Sequence, residues 1–472
     1  MSRNVVVVGG GPAGLAAAKS AVDAGARVTI IDSSDQLGGQ FWRHLPPERA
    51  GADEARLHHD WQTYQRLHRR LTASPHCEIR TRTQIWAIET TPDGVLLTGV
   101  QGAPDARTEA PIQLHPDALV LATGAHDRTL PFPGWTLPGV YTAGAAQAFA
   151  KAERVALGRR VLVAGAGPFL LPVTESLVKT GAKVVAVLEA NRPRNLARWL
   201  ATAPWKLAGK AGELTHYVGT HLRHRVPYRP GRAVVAAHGD DRVEAVTVAR
   251  VDANWKPIPG TEKRYAVDAV CVSHGFTPRL ELAVAAGCRL TADRFVRVDD
   301  AQQTTVRGVY AAGEITGIGG KDAALAEGAI AGHCAAGGDT TDAVIQPAVR
   351  RRRTMGAFSR RLDAAHGIRP GWTGWLTDDT ILCRCEESRV GTVRRTVAAT
   401  GSVSLRSTKL TTRVGLGICQ ARICGRNVED YLGQLGDRVP AGDASSDHRP
   451  IVSPVRLGDI ARLADPDTPT TP

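Results

Sequence analysis

Cysteine is scarce in this chain, and so are aromatic residues and long apolar runs. Eight cysteines in 472 residues exclude a disulfide-stapled secreted scaffold. Four of them (Cys77, Cys271, Cys288, Cys334) stand singly, as reduced thiols do in a cytosolic protein. No apolar stretch approaches the roughly 20 residues of a membrane-spanning helix. Met1–Asn4 lead straight into Val5–Val8, so no signal peptide is expected. The expected location is cytoplasmic, with peripheral attachment at the inner face of the membrane as the alternative. Aromatic content of 5% and dispersed arginines carry no nucleic-acid module, so the net charge of +13 does not indicate a nucleic-acid partner. The densest basic run, Arg350–Arg353, is expected to cover a solvated helix face or to meet an acidic partner subunit.

What is present is glycine at defined places. Val5–Val8 reads as a buried parallel strand, Ala13–Val22 as a helix, and Arg27–Ile31 as a second strand ending in Asp32. Between the first two lies Gly9-Gly10-Gly11-Pro12-Ala13-Gly14. Gly9 permits the tight turn, Gly11 lets a pyrophosphate approach the backbone, and Gly14 allows close helix–strand packing. Pro12 and Ala13 open the helix, whose N-terminal N–H groups face the phosphates. Asp32 stands where a ribose acceptor belongs. An extended FAD needs backbone approach at several points, and Gly38, Gly39 and Gln40 after the acidic strand, with Gly313-Glu314 late in the chain, favour FAD over NAD here.

The same grammar returns at Arg160–Ala164, Gly165-Ala-Gly167, a helix to Thr180, and Lys183–Leu188 ending in Glu189. The third glycine position holds Leu170, which would press the helix away from the strand or fill the groove. Gly165, Gly167 and Glu189 therefore mark either an NAD site or a vestigial, structural domain, and another adenine nucleotide stays open. Ala118–Gly124, with Thr123 and Gly124 at its end, has a counterpart in Asp268–Gly275. The expected class is α/β, with two Rossmann-like dinucleotide-binding domains, the second inserted in the first, and a small helical C-terminal domain. The expected ranges are 1–145 and 266–345 for the FAD domain, 146–265 for the insert, 346–379 for a connector, 380–435 for a cysteine module and 436–472 for a partly disordered tail, Pro/Thr-rich over Asp465–Pro472.

Neither nucleotide domain contains Cys-x-x-Cys, and Gln40-Phe-Trp-Arg43 carries no thiol, so disulfide reductase chemistry lacks its dithiol. The remaining cysteines stand as Cys383-Arg-Cys385 and Cys419-x4-Cys424. Thiolates select zinc, Cu(I) or iron–sulfur clusters, and this spacing is a poor match to structural zinc pairs. Lys409, Arg413, Arg422 and Arg426 can offset the negative charge of a thiolate-bound cluster. His126, His274 and His333 read as packing or hydrogen-bonding residues, and the catalytic residues stay unassigned.

The glycine motifs resemble the two-dinucleotide-domain flavoproteins of the pyridine nucleotide-disulfide reductase type, in which the segments matching Thr123-Gly124 and Gly313-Glu314 border the flavin. Glu314 stands where that superfamily has aspartate. The cysteine spacing resembles the bacterioferritin-associated ferredoxin type of [2Fe–2S] domain. Leu37–Arg43, Pro131–Gln147, Gly313–Gly320 and Thr411–Arg422 together resemble the FAD/[2Fe–2S] subunits of hydrogen cyanide synthase, opine oxidases and hydroxyproline dehydrogenases, with kinship to the sarcosine oxidase alpha subunit. Departures are Ala421 for a frequent glycine and Leu416 for a common methionine. The resemblance implies a hetero-oligomer with an amino-acid-oxidase-like flavoprotein subunit that oxidises the amine to an imine, with room for an FMN at the subunit interface. Electrons would pass through flavin and cluster to a quinone or another carrier. A self-sufficient NADH-dependent reductase and a non-enzymatic iron–sulfur partner protein are the competing readings.

Overall fold

The computed structural model describes residues 2–49, 54–92, 94–103, 109–193, 211–436, 446–447, 449 and 451–464. The Pro/Thr-rich tail Asp465–Pro472 lies outside the described residues. The chain divides into two compact units.

The first unit comprises Met1–Ala125, Pro278–Ser359 and His448–Pro472. Its parallel sheet runs in the order Val309–Ala311, Ala118–Leu121, Asn4–Val8, Arg27–Ile31, Cys77–Arg80, with Val5 opposite both Val28 and Ala118. Successive side chains of a strand point to opposite faces. Val5 and Val7 accordingly enter the core under helix Pro12–Asp23, while Val6 and Val8 enter the core shared with Ile85, Ile88 and Leu97. Those three belong to strands Thr83–Thr91 and Gly94–Gln101 of a three-stranded antiparallel sheet. A strand buried on both faces has to be apolar throughout, which is why Val5–Val8 shows no alternation.

Helix Gly320–Ala335 lies against Pro12–Asp23 with almost no side chain between the two backbones. A β-carbon on Gly328 would fall 2.0 Å from the Ala13 carbonyl oxygen, and one on Gly332 would fall 1.9 Å from that of Ala17. Two arginines of the basic run find partners within this unit: Arg351 donates to Asp322 at 2.9 Å and Arg352 to Asp300 at 2.6 Å.

The second unit comprises His126–Thr277 and Arg360–Asp447. Its parallel sheet has the order Tyr228–Pro230, Lys183–Glu189, Arg160–Gly165, Ala269–Ser273, Val140–Thr142. The inserted fold is thus longer than the expected 146–265, because Val140–Thr142 and Ala269–Ser273 complete its sheet rather than that of the first unit. Val161 and Val163 face helix Leu170–Lys179, and Leu162 and Ala164 face the core holding Val234, Val246 and Val248.

The cysteine segment packs on this second fold. A hairpin of Ile381–Cys383 and Ser388–Arg389 and helices Val390–Thr400, Leu405–Thr412 and Gly425–Leu435 share one apolar core with Ala166, Ala190, Trp255, Trp372 and Trp375. Among the described residues no helix is long and apolar enough to cross a membrane.

Gly332→Ala is expected to destabilise the first unit by about 1–3 kcal/mol through overpacking against a helix backbone. Gly458→Ala, where a β-carbon meets nothing within 4 Å, should stay within about 1 kcal/mol of the parent. Urea unfolding of the two variants side by side checks the difference.

Candidate functional sites

The first glycine turn is held by contacts that only glycine allows. Gly9 has φ +109°, and a β-carbon there would lie 2.2 Å from the Ala122 carbonyl oxygen. One on Gly14 would lie 1.7 Å from the Gly9 oxygen, which is the close helix–strand contact the sequence called for. Asp32 is 9% exposed; one of its oxygens accepts from the Gly10 N–H at 2.6 Å and the other from the Ser34 N–H at 2.8 Å. Its carboxylate therefore organises the loop, and each oxygen keeps a lone pair for a ribose hydroxyl.

Gly38 and Gly39 fold back on this turn. The Gly38 N–H donates to the Gly10 carbonyl at 2.8 Å, and a β-carbon on Gly39 would lie 2.8 Å from the Gly11 α-carbon. Trp42 locks the return: it is fully buried, donates its indole N–H to the His59 carbonyl at 3.2 Å, and would be struck by any β-carbon on Gly38. Tyr64 adds a hydroxyl bond to the Leu37 carbonyl at 3.3 Å. Gln40 is exposed, and the Gln36 Oε1 is buried without a partner. Pro12 occupies the first turn of its helix, and the ladder begins only at Leu15 N–H to Gly11 C=O, so the Ala13 and Gly14 N–H groups precede it.

Thr123 and Gly124 are tied to the later segment in both directions. The Thr123 hydroxyl donates to the Arg279 carbonyl at 2.8 Å, and the Arg279 N–H donates to the Gly124 carbonyl at 2.9 Å. Gly313, at φ +82°, packs on the Ala13 methyl. Glu314 accepts from the Gly320 N–H at 2.8 Å, capping the start of helix Gly320–Ala335. Glu327 on that helix, which the sequence reading missed, accepts from the Gly313 N–H at 2.8 Å and from the Thr316 hydroxyl at 2.7 Å. Loss of water around its carboxyl raises its pKa above the glutamate value. This backbone-lined cradle, with its unladdered N–H groups and the Asp32 carboxylate, fits the pyrophosphate and ribose portions of a dinucleotide.

The second glycine turn has the same strain and a different environment. Gly165 and Gly167 have φ of +147° and +100°. Glu189 is fully buried, and its carboxylate accepts from the Gly167 N–H at 2.9 Å, the Asn191 N–H at 3.0 Å, the Asn191 amide at 2.8 Å and the Tyr228 hydroxyl at 3.3 Å. His366 Nδ1 sits 3.5 Å from the same carboxylate, and the His366 β-carbon is the atom a side chain on Gly167 would meet, at 3.8 Å. Trp255 donates to Asn191 at 3.3 Å. Leu170 is fully buried and packs with Val161, Val163 and Leu177 between helix and sheet. The ends of the strands at this turn are therefore covered by the chain's own His366, Trp255, Trp372 and Trp375.

The four module cysteines come together as two pairs. All four are free thiols; Cys383 shares a hydrogen bond with Cys424 and Cys385 with Cys419, and Cys424 also feels the charge of Cys385 and Cys419. Among the described residues no three of these sulfurs lie mutually within 4.8 Å. The Cys424 thiol, with the N–H groups of Gly415, Glu386 and Cys385, holds the Cys383 thiol down to about 6; that shared proton raises Cys424. Glu387, Arg413, Gly415, Gln420 and Ala421 all have φ between +49° and +81°. Such turns aim backbone N–H groups inward, as around bound anions. Ala421, at φ +65°, explains why a glycine is at home in that position. Gly417 lies directly on Cys385: a β-carbon would come within 2.2 Å of the Cys385 Cβ.

The segment Pro131–Trp135 turns out to be the seat of this module. The Trp135 indole N–H donates to the Ile381 carbonyl at 2.7 Å, and the Arg384 guanidinium lies 5.5 Å above the same ring. Arg128 reaches Asn427 at 3.2 Å and Asp430 at 2.6 Å, and the Asn427 amide donates to the Thr129 carbonyl at 2.7 Å. His126 bonds to the Arg422 carbonyl at 3.2 Å. His274 is buried, accepts from the Leu130 N–H through Nδ1 at 3.4 Å, and is pushed down to about 3 by burial and by the Arg128 charge. It stays neutral at physiological pH, as a packing residue does. His333 pairs with Asp342 at 2.7 Å. The single thiols are inert: burial pushes Cys271 up to about 12 and Cys77 and Cys334 up to about 11.

Two glycine turns on two parallel sheets define a double-dinucleotide-fold oxidoreductase architecture. The profile of the family described as pyridine nucleotide-disulphide oxidoreductase matches residues 3–332, and the chain belongs to that family. It is 31% identical to the hydrogen cyanide synthase subunit HcnB of Pseudomonas protegens, over 94% of each chain. It is also 31% identical to the A subunit of the opine oxidase of Agrobacterium tumefaciens, covering 98% of this chain and 92% of that one. The alpha subunit of the sarcosine oxidase of Corynebacterium sp. strain P-1 is 28% identical over 71% of this chain and 32% of its own. Among solved structures, the L-proline dehydrogenase of P. horikoshii superposes with a TM-score of 0.66 at 21% identity, covering 98% of this chain and 80% of that chain. The family implies FAD.

The raised Glu327 pKa sets a sign for stability. A carboxyl whose folded-state pKa lies above its ordinary value of 4.5 binds its proton more tightly when folded, so its contribution falls as pH rises from that value through the raised one. Glu327→Gln keeps an acceptor for Gly313 and Thr316 while removing the titration. It should flatten the pH dependence of stability in that window, measured by urea unfolding across the acid range.

Proposed function

We propose that this chain is the electron-transfer subunit of a heteromeric amine or imino-acid dehydrogenase or oxidase, with FAD in the first cradle and a [2Fe–2S] cluster on Cys383, Cys385, Cys419 and Cys424. The observation that carries the reading is the pairing of the four sulfurs on a chain that also holds an open dinucleotide cradle. A zinc ion bound at about 2.3 Å to each thiolate would draw all four to within roughly 4 Å of one another. Two pairs suit two irons, each with two thiolates. The names of the relatives supply the class of donor: opine, sarcosine and proline are amines or imino acids, and several of the proteins are named as subunits.

Bound together, FAD and a two-iron cluster supply the conversion of a two-electron delivery into one-electron steps. The residues of this chain hold and tune. Ala13 and Gly14 offer N–H groups to phosphate oxygens, and Asp32 offers its remaining lone pairs to a ribose. The Gly415 N–H donates to the Cys383 sulfur at 3.4 Å, and Lys409, Arg413, Arg422 and Arg426 balance the thiolate charge. In this reading, proton abstraction from the amine belongs to an amino-acid-oxidase-like flavoprotein subunit, with an FMN at the interface as a further carrier.

The second fold serves in this reading as a mount for the cysteine module rather than as an NAD site. Glu189 is supplied with donors by the protein, and His366 and Trp255 stand where a nucleotide would lie.

The chain purified with its partner subunit should contain two irons per cysteine module and lose them in Cys385→Ser. NADH should fail to bleach the flavin under anaerobic conditions, while an amine substrate bleaches it only when the partner is present. Zinc on the thiols, or amine oxidation by the isolated chain at the rate of the complex, would overturn the assignment.

A further inference from the structure

The cysteine module carries a surface that the relay role alone does not account for. Helix Leu405–Thr412 buries Leu405, Thr408 and Thr412, which leaves Arg406 and Leu410 as an outer stripe at helical spacing, with Arg413 capping the helix just beyond it. Leu410 is 71% exposed, and the loop that follows adds Leu416, Ile418 at 82%, and Ile423. Leu416 and Ile418 flank Gly417, the residue whose backbone lies on Cys385, and Cys385 is the one exposed thiol of the four. From Leu405 to Cys424 the charged residues are Arg406, Lys409, Arg413 and Arg422, with no aspartate or glutamate among them. Glu386, bonded to Arg413 at 2.6 Å, brings a carboxylate to this stripe.

An apolar centre of a few aliphatic side chains with a cationic surround is the form of a small, transient redox contact. Obligate subunit interfaces are larger and more apolar, whereas electron-transfer encounters sit at the low end of interface size. Opposite charge on the partner speeds encounter and fixes orientation, at the cost of sensitivity to salt.

We propose that the outer stripe of helix Leu405–Thr412 and the loop Leu416–Ile423 form a docking face for an acidic one-electron carrier protein, brought to the Cys385 edge of the module. The inference rests on the four thiolates holding a two-iron cluster. Each docking moves one electron from the module into the carrier's own metal centre, so the module is oxidised and the carrier reduced by one. Two successive dockings discharge each two-electron amine oxidation. The protons of that oxidation leave at the donor, and none crosses this face.

The test uses the iron-loaded heteromeric complex with two probes, an acidic plant-type ferredoxin and a basic cytochrome c, both oxidised, with binding followed by calorimetry. Ferredoxin should bind, cytochrome c should not, and raising the salt from low to about 0.2 M should weaken ferredoxin binding about tenfold or more. Arg406→Glu and the pair Leu410→Asp with Ile418→Ser should each weaken it about tenfold or more, with iron content and visible spectrum unchanged. Unchanged binding in iron-replete variants, or equal binding of both probes, overturns the docking face and leaves the relay reading intact. Ferredoxin binding by the isolated chain but not by the complex also overturns it, assigning the face to the subunit interface. A complex without iron overturns the relay reading and the docking face together.

Discussion

The Glu189 carboxylate sits fully buried at the end of a parallel strand, and four donors from its own chain meet it there. A buried carboxylate short of donors is costly, and each bond to a charged group contributes about 1.5–3 kcal/mol. The Gly167 N–H, both Asn191 donors and Tyr228 therefore do more than decorate a fold. They satisfy the acid from within the chain. Once that acid is satisfied internally, Trp255 can lie across Asn191, Trp375 can donate to the Trp255 carbonyl at 3.0 Å, and the module behind them gains an apolar floor.

The first cradle shows the opposite solution with nearly the same motif. Asp32 also caps its glycine loop, yet what returns over that loop is the backbone of Gly38 and Gly39. Bare backbone adds no side-chain bulk there. The aromatic residues nearby, Trp42 and Tyr64, act from behind the return and fix it without entering it. The difference between the two folds lies in what each loop meets across the crevice: glycine in one, histidine and tryptophan in the other.

Charge is distributed to match. Arg351 and Arg352 are held by Asp322 and Asp300, so part of the most basic run in the sequence is consumed inside the first unit. Arg128, by contrast, holds the module through Asp430 and Asn427 and depresses His274 in the same stroke. Around the thiols, the Gly415 N–H meets the Cys383 sulfur, and Ala421 accepts a left-handed conformation for which glycine carries less strain.

Much of this was legible in the residues because it is local. The valine strand, the turn at Gly9, the packing at Gly14 and the acid at Asp32 follow from steric rules acting over a few positions, and the four clustered cysteines stand out by residue type alone. Both dinucleotide folds could thus be read from residue pattern, together with those four thiols. Other features depend on segments distant in the chain: Glu327 beneath Gly313, Trp135 beneath Ile381, the partition of the cysteines into 383/424 and 385/419, and the longer reach of the insert through Val140–Thr142 and Ala269–Ser273. Only the folded chain brings His366 to Gly167 and Glu189, and Trp255 to Asn191. Leu170 is close to that turn in sequence, but which distant side chains meet it is fixed by folding and not by spacing along the chain.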